Sequence, residues 1–163
     1  MVAFLYRMGN GVPGDVTRQS QSTIEPGVFN PAAAFPAYGR FGKNVAGKFV
    51  PVGAGDTAAL VYGILVRPYP TNGANASDPL DTAVPPTSGM ADVLRRGYIN
   101  VKNNAGTPAQ GGLVYIRVAA AAAGKPIGGI EAAADGANTI VATGAIFMGA
   151  ADANGNVEIA YNI

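Results

Sequence analysis

Phe147-Met-Gly-Ala-Ala-Asp-Ala-Asn-Gly-Asn-Val-Glu-Ile-Ala-Tyr-Asn-Ile163 decides the fold class. Asn154-Gly155 stands between two apolar runs, and Asn-Gly is a strong hairpin signal because both residues accept positive φ. After the turn, Val157, Ile159, Tyr161 and Ile163 alternate with other residues, which places them on one face of a strand. Before it, residues 139–142 and 145–149 also read as strands. Working backward, residues 113–118 form another, behind a turn at Asn103-Asn-Ala-Gly-Thr-Pro108. Residues 93–102 are strand-like, with Ile99 and Val101 alternating against Tyr98, Asn100 and Lys102. Residues 60–67 are a near-continuous apolar run ended by Pro68-Tyr-Pro70, and residues 45–50 read as a hairpin turning near Gly47-Lys48. Residues 71–90 form a polar loop. About eight short strands joined by turns predict an all-β protein, an antiparallel sandwich or barrel.

Composition supports strands. Gly and Pro supply 35 of 163 residues, too many for a mostly helical chain, since each is costly in a helix interior. Val and Ile number 26 against 6 Leu, a β-branched bias that suits a pleated surface. Alanine is commonest, and the runs at residues 32–34, 119–123 and 132–134 are too short for stable helices. Charged residues are 13% and balance to +1, so no basic patch is built for phosphate backbones. There is no Cys and no His, which removes disulfides, thiolate metal sites, the usual zinc ligand and the usual general base. No run approaches a membrane span, and the N-terminus lacks the cationic-then-apolar order of a signal peptide. The expectations are no cofactor, no metal, no nucleic acid and no membrane.

Residues 1–40 read as an extended N-terminal arm, ahead of a β domain at residues 41–163. Pro26, Pro31 and Pro36, spaced five apart, forbid a helix and interrupt strand ladders. Phe29 and Phe35 lie between them, and Tyr38 and Phe41 follow. With Phe4 and Tyr6, these rings read as anchors onto the chain's own domain or a neighbour. The second is the expectation carried forward, because so many rings exceed what the arm can bury locally.

Several motifs have blander readings. Gly9-x-Gly11-x-x-Gly14 and Gly53-x-Gly55-x-x-Ala58 match a dinucleotide fingerprint, but Pro13 and Pro51 interrupt them and no strand–helix alternation follows. Both read as turns. Asp152-Ala-Asn-Gly-Asn-Val-Glu158 has oxygen ligands at alternate positions, yet its Gly and Glu stand at the wrong places for an EF-hand, so it reads as a hairpin loop. Asp78 with Asp81, or Asp152 with Glu158, offer carboxylate pairs that a glycosidase would need, in turn contexts. Arg95, Arg96 and Arg117 read as strand-surface charges.

Five segments together resemble one family: Phe4-Leu-Tyr-Arg-Met-Gly-Asn-Gly-Val-Pro-Gly-Asp-Val-Thr-Arg18, Thr23-Ile-Glu-Pro26, Gly39-Arg-Phe-Gly-Lys43, Val93-Leu-Arg-Arg-Gly-Tyr98 and Phe147-Met-Gly-Ala-Ala-Asp152. The chain is similar to the structural cement proteins of tailed bacteriophages. The resemblance implies a β-sandwich of jelly-roll type, commonly a homodimer, with no enzymatic activity and no catalytic residues. It implies a place on the outer surface of the phage head, clamping neighbouring major capsid protein subunits. Candidate capsid or subunit contacts are Phe4, Tyr6, Arg7, Phe29, Phe35, Tyr38, Arg40 and Phe41. A carbohydrate- or receptor-binding module is the alternative, though such modules usually display Trp, and the chain has none. Since no metal is called for, a chelator is expected to leave the melting temperature unchanged; removal of a metal bound only to the folded state would make it fall.

Overall fold

The computed structural model describes residues 10–69 and 82–163. The strands among them are β1 (Thr23–Val28), β2 (Phe41–Val45), β3 (Lys48–Pro51), β4 (Gly63–Leu65), β5 (Met90–Ala105), β6 (Leu113–Arg117), β7 (Ile130–Glu131), β8 (Thr139–Phe147) and β9 (Asn156–Tyr161). Among the described residues, helix is confined to single 3-10 turns such as Gln19–Gln21 and Ala58–Leu60. The all-β, largely antiparallel architecture expected from the sequence is the one adopted. No helix among the described residues is long and apolar enough to cross a membrane.

The sixteen residues of β5 organise everything else. Their first half lies between β1 and β4, in a sheet ordered β3-β2-β4-β5-β1. The second half pairs with β9 from Gly97 to Lys102 and with β7 at Asn103 and Ala105. Because β7 pairs with β6, β6 with β8 and β8 with β9, the order β5-β7-β6-β8-β9 returns to β5 as a closed five-stranded barrel. Closure leaves these strands few unpaired backbone edges.

One excess residue joins the two halves. Ile24 pairs with Leu94 and Thr23 with Arg96, so Arg95 is the additional residue of a β-bulge. Gly97 follows at φ 140°, where an added Cβ would lie 2.4 Å from Ser22 Oγ and 2.9 Å from Ser22 Cα. The bulge inverts side-chain parity. Leu94 faces the main core from an even position, whereas Ile99 and Val101 face it from odd ones.

Two cores result, one on each face of β4 and β5. Inside the barrel, Phe41, Ile64, Leu94, Ile99, Ile116, Phe147 and Ile159 pack together. On the opposite face, Leu65, Ala91 and Val93 meet Phe29, Phe35, Tyr38 and Phe49. Phe35 stacks on Phe49 with ring centroids 4.9 Å apart, and Phe29 meets Phe35 edge-on at 6.1 Å. Gly42 makes room for this stack, since a Cβ there would come within 2.3 Å of the Phe49 ring. Burial on both faces explains why the sequence around β4 is continuously apolar instead of alternating.

The structure departs from the sequence reading in the N-terminal region. Residues 10–40 are extended for much of their length, but they are packed on the chain's own domain, with no break in packing at residue 40. Gly14 N donates to Asn100 O (2.8 Å), Asn100 N to Asp15 O (2.9 Å) and Thr17 N to Tyr98 O (3.1 Å), a strand-like run along β5. Further on, β1 accommodates Pro26 because it ends its sheet, where a missing N–H is tolerated. Smaller differences have local causes. The first hairpin turns at Ala46-Gly47, both at positive φ (49° and 75°), one residue earlier than read. Residues 139–149 hold one long strand, β8, whose register against β6 breaks near Gly144.

The bulge makes a sharp prediction. Inserting one residue between Arg95 and Arg96 puts Tyr98, Asn100 and Lys102 on the core side and is expected to abolish cooperative unfolding. Arg95→Ala keeps the residue count and is expected to cost only about 1–2 kcal/mol in a denaturant titration, from its lost ring and ion-pair contacts. A cooperatively folded insertion variant would show that parity is set elsewhere.

Candidate functional site

The residues singled out from the sequence are placed mostly inward. Phe29, Phe35, Tyr38 and Phe41 are 3%, 2%, 6% and 0% exposed. They are core residues, so as side chains they offer no surface to a partner. Phe29, Phe35 and Tyr38 fill the second core, which the extended segment and the back of the sheet build together, and Phe41 fills the first, which corrects the expectation that they reach a neighbour. Arg40 is half-buried, its Nη1 donating to Gly128 O (2.8 Å) and Asn104 Oδ1 (3.3 Å). Phe4, Tyr6 and Arg7 lie outside the described residues, as do Asp78 and Asp81.

The other motifs resolve into structure. Gly11 and Gly14 adopt φ 109° and 94° in a turn with no helix after it, and Gly53-Ala-Gly55 is likewise a turn. Asp152 Oδ1 accepts from Asn154 N and Asn156 N, and Oδ2 accepts from Asn10 N. Both its oxygens therefore hold the β8–β9 hairpin and fasten the N-terminal segment to it. Glu158 pairs with Arg18 at 2.9 Å. Arg117, read as a surface charge, is 1% exposed instead. Its guanidinium donates from Nη2 to Glu131 Oε2 (3.1 Å) and Asp135 Oδ2 (2.6 Å), and from Nη1 to the carbonyls of Ala119 and Ala120. These bonds raise the Arg117 pKa and hold the Asp135 carboxyl below the usual range. Among the described residues, no group of three or more carboxylates is placed to hold a metal.

Outside the barrel, the clearest surface feature is apolar. Leu113 on β6 pairs with Ile146 on β8, and Tyr115 with Val141. Four intervening β8 residues have no β6 partner, and Gly144 at φ 80° approaches Asn162, whose N donates to Gly144 O. The bent strand leaves a groove of about 460 Å³ lined by Tyr98, Leu113, Val141, Ile146, Met148 and Ile163. Leu113, Val141, Ile146 and Ile163 are 50%, 38%, 40% and 57% exposed. At its edge the Arg18 guanidinium lies 3.9 Å from the Tyr98 ring centroid, held there by Glu158. The sequence carried a signal for this face. Residues 139–147 put apolar side chains on both sides of one strand, Ala142, Ala145 and Phe147 inward and Val141 and Ile146 outward. Reading the segment as two short strands hid that pattern.

The arrangement is an all-β fold in which, among the described residues, ion pairs such as Arg18–Glu158 and Arg117–Glu131 join parts of the chain to one another. The chain belongs to the XM1 gp53 minor capsid protein family, whose sequence pattern matches residues 1–161. A chain in the solved structure "The capsid of Myoviridae Phage XM1" superposes with a TM-score of 0.74 at 20% identity, covering 98% of this chain and 95% of that one. No curated protein sequence matches. The structural likeness establishes the fold, and family membership gives the chain a structural role in the virion, associated with capsid components.

Burial of the arm rings is directly measurable. Phe35→Ala is expected to cost about 3–5 kcal/mol of stability. Deleting residues 1–30, which removes β1 and Phe29, is expected to yield a chain without a cooperative melt. A stable truncated domain would show that the second core is dispensable.

Proposed function

We propose that this minor capsid protein acts as a non-enzymatic cement: it binds the outer surface of the phage head and clamps neighbouring major capsid protein subunits. The observation that carries the reading is the β6–β8 groove with its four exposed apolar side chains, in a chain of a minor capsid family. Exposed apolar area of this kind marks interaction sites, since burial contributes about 25 cal/mol per Å². The outer surface is favoured by charge. A protein facing packaged DNA needs clustered Lys and Arg, and this chain has 11 basic and 10 acidic residues. A second copy of the chain is the other partner in this reading, because paired copies bind a repeating lattice with avidity. Nothing in the clamp requires a reaction.

The test is co-sedimentation with heads that lack the protein. Val141→Asp with Ile146→Asp places two charges in the groove and is expected to reduce bound copies at least tenfold. Stability should change by no more than about 1 kcal/mol, because both side chains face outward. Undiminished binding would move the capsid contact to another face. Light scattering on the free protein checks the second copy.

A further inference from the structure

The described chain begins at Asn10, and it begins beside the β6–β8 groove. Followed from Gly14 toward lower residue numbers, the segment leaves the edge of β5 and crosses the outer face of the barrel. Gly14 N donates to Asn100 O (2.8 Å), and Gly11 O accepts from Asn156 Nδ2 on β9 (3.0 Å). Asn10 then grips the β8–β9 hairpin. Its N donates to Asp152 Oδ2 (2.9 Å), and its Nδ2 donates to Asn156 O (2.9 Å) and Ala150 O (3.2 Å). The path runs from β5 over β9 toward β8. We propose that residues 1–9 continue it and lay their apolar side chains in the β6–β8 groove of the same chain, as a shield that the capsid displaces.

Position supports this occupant. Asn10, Met148, Ala150 and Glu158 line a small hollow of about 120 Å³, and Met148 also lines the groove, so the two adjoin at that side chain. Across the barrel, Tyr98 pairs with Ala160, Ala160 with Ile146 and Ile146 with Leu113, one row that runs from β5 through β9 and β8 to β6. From β9, β6 is two strands away, about 10 Å at the usual spacing. Five extended residues cover about 16 Å, so Phe4 and Tyr6 reach the groove from Asn10. A tether this short holds the rings near their own groove at an effective concentration in the millimolar range, which favours the same chain over a second copy.

Chemistry matches as well. Val2, Phe4, Tyr6 and Met8 alternate with Ala3, Leu5 and Arg7, the period that puts one apolar row on one side of an extended segment. The described lining of the groove carries no charged side chain, and Arg7 falls on the other row. A cavity of about 150 Å³ holds a benzene ring, so the groove's 460 Å³ accommodates both aromatic rings. Residues 142–145 of β8 have no partner on β6, which leaves width for an inserted segment. The consequence is regulatory, and it rests on reading the groove as the capsid contact. A bare apolar groove invites association between copies. A covered one opens only to a surface that binds it better, and the affinity for heads falls by the fraction of chains that are closed.

The chain has no Trp, so Tyr6→Trp places a single indole reporter in the full protein. In the free protein its emission is expected to be blue-shifted and protected from acrylamide. Adding Val141→Asp and Ile146→Asp to the reporter chain should abolish that protection, and an excess of the unsubstituted chain should not restore it. Restoration would assign the segment to a second copy's groove and overturn the proposal. So would an indole quenched as freely as in the unfolded chain. Deleting residues 2–8, which leaves the Asn10 anchor in place, should raise the affinity for heads that lack the protein; unchanged or weaker affinity overturns the shield. Should neither form bind heads, the capsid reading fails by itself, since the reporter decides the docking without them.

Discussion

The pairing of β5 on both edges is the constraint from which the rest of the structure follows. A sixteen-residue strand exposes many N–H and C=O groups, and each must be satisfied when it is buried. Here β1 and β4 take the first half, and β9, β7 and residues 14–17 take the second. Segments distant in sequence are thereby bound to one element, so the sheet and the barrel cannot come apart without orphaning the backbone of β5. The bulge at Arg95 is what lets one strand serve both. If the same sequence ran as a regular strand without the bulge, Leu94 would share its face with Tyr98, Asn100 and Lys102 in place of Ile99 and Val101.

The same constraint explains how a chain with so few charges uses them. Arg18 with Glu158, Lys43 with Asp56, Arg95 with Glu25 and Arg117 with Glu131 and Asp135 each join separate parts of the fold. The pairing of Arg18 with Glu158 fastens the N-terminal segment to β9, and Lys43 with Asp56 ties β2 to the turn after β3. Most of these pairs are partly exposed and individually weak, so they hold positions more than they stabilise. The Arg117 cluster differs, since its guanidinium and Glu131 are both buried and neither can lose its partner without leaving a charge in the interior. Charges committed in this way leave apolar side chains such as Val141 and Ile146 to face outward.

Much of this was legible in the sequence, and the failures share a physical origin. Local rules identified what local rules control: the Asn154-Gly155 hairpin, the alternation in β9, the strand bias of a Val- and Ile-rich chain. They also dismissed the two glycine fingerprints correctly as turns. The errors arose wherever a second, distant segment decides the environment. Pro26 argues against a strand until an edge position beside β5 makes the missing N–H harmless. Phe29, Phe35 and Tyr38 look like surplus rings until the back face of β4 and β5 is there to receive them. Arg117 resembles any strand charge until β7, only two residues long, brings Glu131 beside it. Residues 139–149 read as two strands because Gly144 interrupts the period, and so the outward apolar pair at Val141 and Ile146 was missed.

Closure of the barrel also bears on how such a protein meets a lattice. An extended arm and open sheet edges would bind by adding backbone hydrogen bonds, a mode that is sequence-tolerant because every peptide has the same donors and acceptors. In this chain residues 14–17 are hydrogen-bonded along β5 and the barrel strands are paired to one another, so the strand edges left to that mode are β1 and β3, the ends of the other sheet. The β6–β8 face presents a different kind of surface, a groove of exposed apolar side chains. Recognition by side chains is more selective, because a groove rejects surfaces that do not fill it.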